Sequence, residues 1–193
     1  MITDLFLYFA RFPKRSGVKA MFTMGGSDFS EYATLLDTLD GMDGDPIVPD
    51  IENYVYGQSV EDLQQRVSKL FGSWMMVDYG EFTIKADRRG AVEAVQQVAV
   101  TVAMKMRQNA DMMERVIASD RTLDMVRRVL QQLWADSDSG DIAWLTRGSL
   151  EQAEIVPFVA SELSSYGWTL MFSTAAAGQI GTGDIKPAKV KPW

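Results

Sequence analysis

The run from Ala91 to Met106 constrains this chain more than any other stretch. Ala91, Val95, Val98, Val102 and Met106 recur at steps of three and four residues, while Glu93, Gln97, Thr101 and Lys105 follow at steps of four. That spacing stacks the apolar side chains on one face of an α-helix and leaves a single narrow polar stripe. A helix apolar over most of its circumference is buried on more than one side, so the run reads as a central helix packed against a sheet and against another chain. A strand competes for the same residues, because Val98, Val100, Val102 and Met104 alternate with small neighbours and Val92–Val102 holds five valines, a β-branched density that suits a pleated sheet. Length decides for the helix. The periodic run continues without Gly or Pro into a second helical pattern, whereas strands end after about 5–6 residues.

That second pattern places Met112, Val116, Leu123, Val126, Leu130 and Leu133 on one side, with Arg127 and Arg128 on the wet side. Ser119-Asp120 resembles a cap and splits it into two helices. Asp136–Asp141 reads as a polar loop.

Composition narrows the chemistry. The 193 residues include neither histidine nor cysteine, which removes the commonest general base, the commonest metal ligand, thiolate zinc sites and disulfides. The chain therefore reads as a non-enzyme without cofactor or metal. The only carboxylates placed for hydrolytic work are Asp78, Glu81 and Asp87 near strand ends, and as turn and solvent-face acids they are already explained. Net charge is −7, against the basic face that phosphate neutralisation needs, so sequence-specific nucleic-acid binding is not expected. Charge is uneven: Arg11, Lys14, Arg15 and Lys19 oppose Asp4 alone near the start, and Lys186, Lys189 and Lys191 oppose Asp184 near the end. Basic ends on an acidic body suit docking between copies, although solvated tails carry the same charges. Leu5–Phe12 is far too short to span a bilayer and lacks the flanks of a signal peptide.

Along the chain, Thr3 or Asp4 caps a helix ended by Pro13. Its face of Leu5, Phe6, Phe9 and Phe12 is too apolar to stay wet; it folds back on the body or inserts into a neighbour. An extended piece lies around Val18–Thr23. Ser27 or Asp28 starts a helix ending at Gly41, with Glu31 placed for a capping box. The acidic loop Asp40–Pro46 has the composition of a calcium site but not the ligand spacing, and reads as a solvated turn. Ile47–Tyr56 is a strand interrupted by Pro49, hence an edge strand or one that begins after the proline, Val60–Leu70 has helical steps, and Ser73–Tyr79 is an apolar strand. Glu81–Asp87 alternates as a further strand, or as a loop into the long helix. Leu150–Ala160 contains Pro157 and so lies near an edge, and it forms a hairpin with Tyr166–Thr174 through Ser161–Ser165. The fold class is α/β in the α+β sense: a small, mainly antiparallel sheet against long helices. Residues 1–26 form an N-terminal helix and arm, 27–177 the core domain, and 178–193 an extended C-terminal arm in which Trp193 anchors on a partner.

The order of an amphipathic helix (Phe29–Leu39), a Pro-containing strand (Ile47–Tyr56), a Gly-Ser-Trp-Met-Met-Val-Asp-Tyr strand (Gly72–Tyr79), a long helix directly after it and a closing Tyr-Gly-Trp-x-x-x-Phe-x strand (Tyr166–Ser173) resembles virion structural proteins of tailed bacteriophages and prophages of Bacteroidetes. The likeness is one of layout, with the N-terminal aromatic helix and the Asp111–Gly140 helix as additions. It implies a tail terminator or head–tail connector, built as a homo-oligomeric ring. Such a protein would be made in the host bacterial cytoplasm, reside in the virion, and contact other virion structural proteins but no membrane. Leu5, Phe6, Phe9, Phe12 and Trp193 are then the candidate oligomer interface. The alternative is a dimeric small-ligand-binding or regulatory α/β domain, with an apolar pocket between the sheet and the long helix.

Overall fold

A computed structural model of the chain describes residues 2–22, 26–58, 64, 66–86 and 92–175. Its organising element is a strand. Val92–Lys105 forms one 14-residue strand, which corrects the helix expected there. In chain order the elements are α1 (Ile2–Phe9), α2 (Arg15–Lys19), α3 (Glu31–Asp40), β1 (Asn53–Tyr56), β2 (Ser73–Asp78), β3 (Phe82–Ala86), β4 (Val92–Lys105), α4 (Met112–Ser139), α5 (Arg147–Leu150), β5 (Glu154–Ala160) and β6 (Ser165–Ala175). The six strands form one mixed sheet in the order β1-β2-β4-β6-β5, with β3 also on β4. Only β1 and β2 run parallel; the other pairings are antiparallel. The α+β class and the mainly antiparallel sheet stand as expected.

The length of β4 has a physical cause. On one edge it pairs in succession with β2, from Met104 to Ala99, and with β3, from Gln96 to Val92. Between β2 and β3, Gly80 adopts φ +30°, and a Cβ there would lie 2.4 Å from the Gln97 carbonyl oxygen. The chain thus hugs β4 through the bend and resumes pairing, so two short strands template one long one. The helical spacing of the valines was real but subordinate. Val98, Val100 and Val102 also alternate, and all three are buried on one face. The resemblance in layout thereby loses the helix that directly followed Tyr79.

On the other edge β4 pairs with β6 from Val95 to Lys105. Among the described residues, Val92–Ala94 pair with β3 alone.

One face of the sheet is covered by α1 and α4. Tyr54, Met75, Val77, Val98, Val100, Val102, Leu170 and Phe172 meet Leu5, Phe9, Val126, Val129 and Leu133 there in one core. The α4 helix is continuous, not split at Ser119, because its buried line Ala118, Thr122, Met125, Val126, Val129 and Leu133 never leaves the sheet. Thr122 returns its hydroxyl to the Ala118 carbonyl at 2.8 Å, and the Trp168 indole N–H donates to the Ser119 carbonyl at 2.9 Å. The cap sits earlier: Asp111 and Glu114 form a reciprocal capping box, and the helix consumes most of the expected Asp136–Asp141 loop. Arg128 is not simply wet, since it pairs with Asp50.

The opposite face holds a smaller cluster around Trp74, Val55, Val67, Ala103, Ala160 and Leu163. Asn53, Trp74, Ala103, Gly167 and Phe158 form one cross-strand row. A Cβ on Gly167 would lie 2.1 Å from the Val102 carbonyl oxygen, so the row tolerates only glycine at that point without backbone movement.

Smaller corrections concern the first third of the chain. In the piece expected to be extended around Val18–Thr23, the described residues Val18–Phe22 are not a strand, since α2 covers Arg15–Lys19 and a turn follows it. No side chain caps α3 at its start, and the Ser30 hydroxyl bonds the Glu31 carboxylate instead, so the capping box expected there does not form. Of the expected Val60–Leu70 helix, residues 60–63 and 65 lie outside the described residues, while Gln64, Arg66 and Val67 are helical and a turn follows at Ser68 and Lys69.

Candidate interaction surfaces

Sequence reasoning placed the interface at Leu5, Phe6, Phe9, Phe12 and Trp193, and the first four of these lie inside the chain's own core. Leu5, Phe9 and Phe12 are fully buried and Phe6 nearly so. The order of α1 explains the packing: Phe9 lies between Phe12, Trp144 and Phe172, while Phe6 meets Tyr54 and Tyr56. The segment folds back on the body, the first of its two expected outcomes, and these side chains are not a surface for a neighbour. Trp193 and the rest of 178–193 lie outside the described residues.

The basic N-terminal side chains also close on their own body. Arg11 pairs with Asp136 at 3.4 Å, Lys14 with Glu52 at 3.3 Å and Lys19 with Asp40 at 2.5 Å. At their exposure such pairs add little stability, but they use the charges that self-docking required. Lys19 pairs with Asp40 at the start of the Asp40–Pro46 turn, and no cluster of metal-binding side chains occurs among the described residues. No helix among them is long and apolar enough to cross a membrane.

Of the candidate carboxylates, Asp78 is a turn acid and Glu81 is exposed. Asp78 accepts the Gly80 N–H at 2.9 Å, and the Glu81 carbonyl accepts the Gln97 N–H at 3.1 Å. Asp87 lies outside the described residues.

Two phenols under α1, Tyr54 and Tyr56, pack with Phe6, and a third, Tyr8 on α1 itself, packs with Phe9, Phe12 and Trp144. The Tyr54 hydroxyl donates to the Phe6 carbonyl at 3.2 Å, Tyr56 donates to the Ile2 carbonyl, and Tyr8 donates to Asp136 at 2.8 Å. Burial, and for Tyr8 also the Asp136 carboxylate, pushes all three above an ordinary phenol. A raised pKa in the folded state means stability that is complete below the unfolded phenol value and lost progressively above it. The melting temperature should therefore hold steady up to about pH 10, the free phenol value, and fall beyond it. A melting series followed by circular dichroism checks this; a profile still flat a full unit above that value would contradict it. Tyr8→Phe should shallow the fall.

Two concavities flank these elements. An apolar groove of about 280 Å³ lies between α1, α3 and β1, lined by Ile2, Phe6, Met21, Phe22, Tyr32, Leu35 and Tyr56 among others. A cleft of about 530 Å³ between α4 and the start of β2 is polar, with Asp50, Glu52, Asp120 and Asp124 around Arg121. The apolar pocket expected between sheet and long helix is therefore replaced by an acidic cleft, and the apolar one sits elsewhere.

The surface that sequence reasoning missed is the outer side of α4. Met112 is 77% exposed, Met113 63%, Val116 54% and Ile117 49%. On a helix of 3.6 residues per turn, Met113 and Ile117 lie on the side away from Ala118 and Thr122, so their exposure is not a frayed core edge. Phe82 and Ile84 on β3 are exposed as well. They stand on the core face of the sheet, since Phe82 is in register with buried Gln96. The signal was present in the sequence, but Met112 and Val116 fit the apolar line of the helix and were read as core. Comparison with protein-family models, curated proteins and solved structures finds no match to this chain.

Proposed function

We propose that this chain is a self-assembling structural subunit, of the kind that forms a homo-oligomeric ring at the tail end or head–tail junction of a phage-type particle. The observation that carries the assembly part is the apolar outer side of the first two turns of α4. Contiguous exposed apolar side chains on a helix already packed on its own sheet mark a protein–protein surface. A subunit of this kind needs no general base, which suits a chain without histidine. The virion part rests on the layout resemblance of Phe29–Leu39, Ile47–Tyr56, Gly72–Tyr79 and Tyr166–Ser173, and its partners would be other virion structural proteins.

Negative-stain images of the purified chain should contain closed rings. The double change Met113→Glu with Ile117→Glu should abolish them while leaving the circular dichroism spectrum intact. Featureless single-subunit particles from the unsubstituted chain would contradict the proposal. A second reading, a dimeric small-ligand-binding domain, draws on the aromatic groove beside Phe6 and Tyr56. Its volume of about 280 Å³ sits just below the usual range of about 300–1,000 Å³ for ligand pockets, which places it second.

A further inference from the structure

We infer that the concavities on either side of α3 are two halves of one binding site for a neutral, ring-containing small molecule, and that α3 shifts to join them when it binds. The inference rests on the second reading above, that the groove beside Phe6 and Tyr56 takes a small ligand. It adds the extent of the site and the chemistry of its occupant, and it does not depend on assembly through α4.

Tyr32, Leu35, Leu36 and Leu39 recur at steps of three and four residues, so they stack on one side of α3. Of these only Leu39, near the C-terminal end, is buried; the other three are half-buried. The reason is open space on both sides. Toward α1 and β1 lies the aromatic groove of about 280 Å³, which Leu35 lines. Toward α2 lies a second concavity of about 620 Å³, which Ala33 and Leu36 line. Phe22 and Tyr32 line both, and their rings meet edge-on at 5.4 Å between centroids. That ring contact stands between the two spaces.

Close-packed interiors leave few voids larger than a water molecule, so a helix with space on both sides is loosely seated. Its firm end is the C-terminal one, where Leu39 is buried and Asp40 pairs with Lys19 at 2.5 Å. At its start no side chain caps it, and the first turn lacks that anchor. Gly26 and Gly44 bracket the helix at φ +75° and +84°, and a Cβ on either would meet nothing within 4 Å. These glycines therefore serve the backbone conformation and not close packing, and a few such positions make a hinge. Turning about its C-terminal end, α3 carries Tyr32 off Phe22 and opens one space into the other.

The walls define the occupant. Phe6 meets Phe22 at 67° and Tyr56 at 75° between ring planes, so the groove presents ring edges and faces together, which a flat aromatic ring packs against. Among the described residues around both spaces, the charged ones are Lys19 and Asp40, and they neutralise each other. An ion would find no counter-charge there, and a neutral molecule loses least on leaving water. Ser27 and Ser30 belong to the larger space, where a polar edge of the ligand meets hydroxyls. The smaller groove alone falls short of the usual ligand volume of about 300–1,000 Å³, and the joined spaces reach it.

Leu35 lines only the smaller space and Leu36 only the larger, which gives a clean test. The neutral dye Nile red, which fluoresces in apolar surroundings, is titrated into the full chain. The expected result is saturable binding, weakened about tenfold or more by Leu35→Trp and by Leu36→Trp alike, because an indole in either half clashes with the ligand. Ala33→Trp, at an exposed position of the larger space, should weaken binding as Leu36→Trp does, and it carries the test should Leu36→Trp alter the circular dichroism spectrum. Loss in Leu35→Trp alone would confine the dye to the smaller groove and overturn the inference while the second reading stands. Loss in the Ala33 and Leu36 variants alone would place the dye in the larger space and overturn it as well. A native chain that does not bind the dye, or binding that none of the tryptophans weakens, defeats the second reading together with the inference.

Discussion

Phe9→Ala costs this fold about 3–5 kcal/mol, the usual loss for deleting a buried phenylalanine ring. Native domains hold only about 5–15 kcal/mol in total, so the variant should be largely unfolded at modest denaturant. Phe9 has no exposed surface and fills the space between Phe12, Trp144 and Phe172. Alanine therefore forfeits both the transfer of the ring from water and the contacts around the cavity left behind. The prediction separates a core residue from an interface residue. Were Phe9 a plug for a neighbouring subunit, alanine would dissociate an assembly and leave each subunit as stable as before. Urea unfolding followed by circular dichroism at two chain concentrations decides the matter: a large drop in midpoint at both is expected, and an unchanged midpoint in the dilute sample would contradict it.

Trp74→Ala should be as damaging, from the other side of the sheet. Its indole is fully buried, donates to the Ser165 hydroxyl at 3.4 Å and meets Phe158 edge-on at 5.6 Å between ring centroids. Those two rings belong to strands three steps apart, about 14 Å at the spacing of a sheet. They meet because Ala103 and Gly167, in the same row between them, leave the space above the sheet empty. Removing the indole opens that space at a point where neither small neighbour can fill it, so the loss lies at the upper part of the about 3–5 kcal/mol range for large aromatic deletions. Trp74→Phe keeps an aromatic edge toward Phe158 and should recover most of the stability. An alanine variant unfolding at the native midpoint would show that this second cluster does not hold the sheet together.

How much of this was legible in the residues differs by element. The closing strand was plain, because Tyr166, Trp168, Leu170 and Phe172 alternate without a competing period. The edge position of β5 followed from Pro157, which cannot donate to a ladder. The central strand was misread for a physical reason: a strand of 14 residues exists only because β2 and β3 pair with it end to end, and that pairing is tertiary. Helix and strand periods coincide on several of its valines, and only the partner strands choose between them. Ser119-Asp120 misled in the same way. Capping residues stop a helix when its next turn has nothing to pack on, and here Thr122, Val126 and Val129 do.

The candidate surfaces follow the same logic. Composition showed more apolar side chains than a wet surface tolerates, but not which of them the fold would hide. The aromatic segment was the more conspicuous and is buried. Met112, Met113, Val116 and Ile117 were less conspicuous and are outside, because the helix is long enough to carry its first turns with their outer side bare. Self-association is thus attributed to different residues from those the sequence pointed to.

The most direct measurement is the molar mass of the purified chain by light scattering at micromolar concentration. Assembly through the outer side of α4 predicts a mass several times the 21.5 kDa of one chain, falling to that single-chain value on Met113→Glu with Ile117→Glu. A native mass of 21.5 kDa, unchanged by that substitution, would contradict it.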